Sequence, residues 1–119
     1  MNYKIIEINN DKIAIASDDV QIKSPGEMLD LAGTIDYQDG CNKLIMKKEM
    51  FPQEFYWLST GFAGEVLQKM VNYGKKVAVV GDFSEYSTPS FDAFLIECNR
   101  GKSFFFVESM DIAKEKLAN

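Results

Sequence analysis

The chain opens on two short apolar runs, with Ile5, Ile6 and Ile8 before Asn9-Asn10-Asp11 and Ile13 and Ile15 after it. Asn and Asp tolerate left-handed turn conformations, so this pattern predicts a β-hairpin. Ser24 and Glu27 then stand at capping-box spacing, and Pro25 takes the first helical position, where a missing N–H costs nothing. Met28, Leu31, Ala32 and Ile35 recur at helical spacing, and Gly40 supplies a stop. A strand is expected from Lys43 through Met46 toward Met50, and a helix from Phe62 to Tyr73 with Phe62, Val66 and Met70 on one stripe. Val77-Ala78-Val79-Val80 is continuously apolar, as a strand covered on both faces reads. Thr88-Pro89 caps a helix carrying Phe91, Phe94, Leu95 and Cys98, which ends at Asn99-Arg100-Gly101. The run Ser103–Ser109 supplies a last strand, and Ser109 caps a final helix through Met110, Ala113 and Leu117.

The resulting order is β-β-α-β-α-β-α-β-α. A hairpin followed by alternating strands and helices argues for a single α/β domain over residues 1–119, a mixed sheet with helices packed on it. At 46% hydrophobic and 13% aromatic residues, a chain of 119 residues carries enough apolar surface for a core.

Charge and chemistry narrow the functional classes. Thirteen basic against eighteen acidic residues give a net charge of -5, which opposes a nucleic-acid partner. The basic doublets Lys47-Lys48 and Lys75-Lys76 read as solvated faces. The chain has no His, which removes Ser-His-Asp and Cys-His catalysis and His-based zinc motifs. No catalytic residue, metal ligand or cofactor is assigned, and the reading leans away from an enzyme. Cys98 falls on an apolar stripe as a core thiol, whereas Cys41, in a Gly-Cys-Asn turn, is expected nearer the surface. The first residues lack a secretory signal pattern and no run approaches membrane-spanning length, so a cytoplasmic protein without a membrane partner is expected.

Candidate chemistry gathers where the parallel strands would end. In Leu58-Ser59-Thr60-Gly61 a hydroxyl pair precedes a helix. It serves either as a helix cap or as an anion or phosphorylation site at the helix start. Asp82 and Ser84, in the Gly81–Thr88 loop, add a carboxylate and a hydroxyl that read as a solvated turn or a ligand site. Phe51, Phe55, Tyr56 and Trp57 form a dense aromatic loop, either core packing or a surface for a protein partner or a second copy.

The segments Thr60-Gly61-Phe62-Ala63-Gly64-Glu65, then Val80-Gly81-Asp82-Phe83-Ser84, then Glu97-Cys98-Asn99-Arg100-Gly101 before an aromatic strand resemble the bacterial family catalogued as domain of unknown function 4180. The resemblance is good over residues 51–119 and covers the N-terminal third only in pattern; it names no activity. More remotely, the order of elements is similar to STAS domains of anti-sigma-factor antagonists and their SpoIIAA-like relatives. That resemblance implies a STAS-like fold and a regulatory, protein-binding module whose phosphorylatable Ser would lie at Ser59-Thr60-Gly61. In this chain Leu58 stands at the acidic position of that turn and Thr60 replaces the second Ser. The alternative is a small-molecule or anion-binding protein using Thr60, Asp82 and Ser84.

Overall fold

The computed structural model describes residues 2–118. Strands β1 (Tyr3–Ile8) and β2 (Asp11–Ala16) form the expected hairpin. Asn9 and Asn10 both adopt positive φ, 54° and 65°, as a two-residue turn matched to strand twist requires. Helix α1 (Pro25–Asp39) starts with Ser24 accepting from the Glu27 N–H, and Gly40 closes it in the left-handed region at φ 63°. Strand β3 (Lys43–Lys47) is shorter than expected. It stops at a 3-10 turn over Lys48–Met50, because Met50 turns into the core and its carbonyl accepts from Ile22 N–H.

A one-turn helix α2 (Gln53–Tyr56), helix α3 (Phe62–Asn72), strand β4 (Lys76–Val80), helix α4 (Pro89–Arg100), strand β5 (Phe104–Val107) and helix α5 (Met110–Leu117) complete the order. Thr88 and Ser109 cap α4 and α5 through their hydroxyls, as their positions indicate. The sheet runs β1-β2-β3-β4-β5, with β1 antiparallel to β2 and the remaining pairs parallel.

Alternation divides the core into two layers. Ala14, Leu44, Met46, Val77, Val79, Phe104 and Phe106 face one side, against buried residues of α1, α3 and α4. Ile13, Ile45, Ala78, Phe105 and Val107 face the other, where Ala113 and Leu117 of α5 pack. Double coverage explains why β5, and β4 after Lys76, are apolar at every position. β5 is an edge strand, and α4 closes it at one point. The Asn99 carboxamide accepts from Phe106 N–H at 2.8 Å and donates to Phe106 C=O at 3.2 Å, occupying backbone groups that another strand would need.

Two expectations are corrected. Cys41 is buried, and its thiol lies 3.3 Å from the Lys12 carbonyl and 3.2 Å from that of Lys43. Lys75 is likewise buried, its ammonium donating to Asp36 at 2.9 Å and Asn42 at 2.8 Å, so it ties α1 to the start of β4. Cys98 does lie in the core. Burial, aided by the charge of Glu97, pushes its thiol up to about 11. The folded chain therefore favours the neutral thiol. That contribution is present below the ordinary thiol value of 9.0 and is lost as pH climbs toward 11. Native protein at pH 8 should accordingly give almost no reaction with Ellman's reagent, and two thiols per chain after denaturation. Rapid labelling of the native protein would contradict this burial.

Candidate functional site

The chain between β3 and α3 is held from both sides. Pro52 precedes α2 in extended backbone, and α2 turns Phe55 and Tyr56 inward. Phe51 is buried too, stacked on Phe55 at 4.3 Å between ring centroids. These three are core, the first of the two readings left open for the aromatic loop, and they are not available as a partner surface: one helical turn aims Phe55 and Tyr56 at the same apolar layer. Trp57 alone points out, at 55% exposure.

Leu58–Thr60 form a 3-10 turn, and Gly61 takes the N-cap position of α3 at φ 81°. That left-handed conformation is why Gly stands there. Thr60 braces the turn. Its hydroxyl lies 2.7 Å from the Glu54 carbonyl and 2.9 Å from that of Trp57, either of which takes its single proton, and it accepts from Phe62 N–H at 3.2 Å. Ser59 beside it is exposed. The hydroxyl pair is thus divided into one brace and one surface group.

The second loop docks onto the first. Tyr86 stacks on Tyr56 at 4.2 Å with planes 9° apart, and Phe83 lies 6.0 Å from the same ring. Tyr56 donates to the Lys48 carbonyl at 2.6 Å, and its burial pushes the phenol upward from its ordinary value, with the Tyr86 and Glu49 charges adding. Lys48 in turn donates to the Asp82 carbonyl at 2.8 Å and pairs with Glu85. The Glu85 hydrogen bond holds the Lys48 ammonium above its usual value. Asp82 accepts from Ser84 N–H at 3.0 Å. That bond, then the Ser84 side chain and the Lys48 charge, keeps its carboxyl below the usual range.

Asp82 and Ser84 line a cleft of about 860 Å³ together with Glu108, between α4 and α5. Ser59, Thr60 and Gly61 are not among its walls, so the structure does not gather Thr60, Asp82 and Ser84 into one cavity. No group of three His, Cys, Asp or Glu residues placed to hold a metal ion occurs among the described residues, and no helix there is long and apolar enough to cross a membrane. Lys48 corrects the expectation that its doublet lies on a solvated face, since its side chain is only 16% exposed. Its one signal in the sequence was its place directly after β3, at the carboxyl end of a strand.

A family model described as "Domain of unknown function (DUF4180)" matches residues 7–117. No curated protein matches the sequence. Among solved structures the chain is similar to a Thermotoga maritima protein described as a candidate anti-sigma factor antagonist. The two are 11% identical, the match covers 98% of this chain and 95% of that one, and the TM-score is 0.46.

Proposed function

The chain belongs to the DUF4180 family, and we propose that it acts as a non-enzymatic regulatory module. It docks a protein partner on the Trp57–Gly61 turn and the exposed side of α3. The observation that carries this reading is Trp57. A large apolar ring stands in solvent on a segment whose other aromatic residues are its buried anchor. Trp is enriched at binding hot spots, and a turn braced before docking loses little entropy when it binds.

Within this reading Ser59 is the regulatory position. Its hydroxyl is exposed, whereas a phosphate on Thr60 would break the hydrogen bonds that shape the turn. A phosphoserine adds roughly 1.5 to 2 negative charges beside Trp57, in a chain already at -5.

The test is affinity capture from the native cells with wild type and with Trp57→Ala and Ser59→Glu, alongside phosphosite analysis. The expected result is a partner retained by wild type and weakened by about tenfold or more in Trp57→Ala, with the melting temperature of that variant unchanged. A partner bound equally by all three proteins would sink the proposed surface. Absence of phosphate at Ser59, with Ser59→Glu silent, would sink the switch alone.

A further inference from the structure

A second cleft, of about 690 Å³, opens at the other end of the sheet from the Trp57 turn. Lys76 at the start of β4, Arg100 at the end of α4, Lys102 in the following turn and Lys116 on α5 stand around it. Glu115 is the one carboxylate in its walls, so the lining carries four cations against one anion, a net charge of +3. Ile112 and the buried Phe105 form an apolar floor, and the Lys116 ammonium lies 5.8 Å from the Phe105 ring centroid.

Acidic side chains outnumber basic ones in this protein by eighteen to thirteen, so partners for cations are in excess. Lys43, Lys47, Lys48, Lys69 and Lys75 take such partners, and Lys4, Lys12, Lys23 and Lys114 form no ion pair among the described residues. None of the four cleft cations forms an ion pair among the described residues. Helix ends explain part of the cluster, since cations near the carboxyl ends of α4 and α5 offset the helix dipoles there. That accounts for Arg100 and Lys116. It does not account for Lys76 on a strand or Lys102 in a turn, and like charges brought around one cleft repel each other unless an anion sits between them.

We propose that this cleft binds a small, multiply charged anion of the phosphate class, a diphosphate or phosphate ester. Its volume suits a small molecule. The Arg100 fork and three lysine ammonium groups match phosphate oxygens, and the net charge of the walls matches an anion of two or three charges. The site is separate from the Trp57 surface and stands or falls independently of it.

The test is calorimetric titration of the full chain with inorganic pyrophosphate, with citrate as a multivalent carboxylate comparator. The double variant Lys76→Gln/Lys102→Gln is set against Lys4→Gln/Lys23→Gln, which removes the same charge elsewhere. Saturable pyrophosphate binding is expected, weakened on the order of 10- to 100-fold by the cleft variant and unchanged in the control. A flat pyrophosphate titration, or equal weakening in both variants, would overturn the site. Citrate binding as tightly as pyrophosphate would overturn its assignment to phosphate. Both double variants should melt with wild type. A cleft variant that unfolds is replaced by the single changes, each expected to weaken binding in the same direction, and single changes without effect would count against the site.

Discussion

Replacing Phe55 by Ala should cost about 3–5 kcal/mol of folding free energy, the range for truncating a buried Phe, and lower the melting midpoint by roughly 10–20 °C for a domain of this size. The residue is fully buried. Its ring meets Phe51 at 4.3 Å, Tyr56 at 4.9 Å, Phe62 at 5.8 Å, Phe106 at 6.2 Å and Phe104 at 6.4 Å. Those neighbours come from the α2 segment, α3 and β5, so no single element can move in to fill the space left behind. Phe55→Leu keeps most of the volume and should cost less than about 1.5 kcal/mol. Urea unfolding measures both, with an unchanged m value expected for each. A loss under about 1 kcal/mol for the alanine variant would contradict the central place given to this ring. Because Phe55 anchors the turn that presents Trp57, the same variant should also lose the partner.

Gly81→Ala should be the most damaging single methyl added to this protein. A Cβ at Gly81 would stand 2.5 Å from Cβ of Lys48, with Cγ at 3.3 Å and Cδ at 3.1 Å. The flexible end of Lys48 could swing aside. Its Cβ cannot, because it moves only with the backbone at the end of β3. Overpacking of this kind costs about 1–3 kcal/mol, and here it also pushes apart the loops that Lys48 joins through the Asp82 carbonyl and Glu85. The clash names its own control. In a Lys48→Gly background the offending Cβ is absent, so Gly81→Ala should add little further loss. A double-mutant cycle by urea unfolding would show a coupling energy close to the cost of the single change. Simple additivity would mean that Gly81 is required for another reason.

Much of the fold was legible because its signals are local. The caps at Ser24, Thr88 and Ser109 and the Asn9-Asn10 turn depend on residues within four positions, and all four formed as read. The end of β3 was not legible. Met50 keeps the alternating phase of Leu44 and Met46 across Lys47-Lys48-Glu49, yet the chain turns at Lys48, where Ile22 N–H donates to the Met50 carbonyl. The Phe51–Trp57 run posed the same difficulty. Composition marked four aromatics as one group, and only the phase of a single helical turn separated three core rings from one exposed one.

The sequence by itself determined the element order, the α/β layer architecture, the two-sided burial of β4, and the absence of any His to activate a hydroxyl. Tertiary structure alone decided which groups share a place. It split Ser59 from Thr60, buried Lys75 and Cys41, and brought Lys76, Arg100, Lys102 and Lys116 around one cleft. Pattern along a chain reports the period of a helix or strand, a local property. Convergence of distant residues depends on how strands cross and where helices stop, and those outcomes follow from packing.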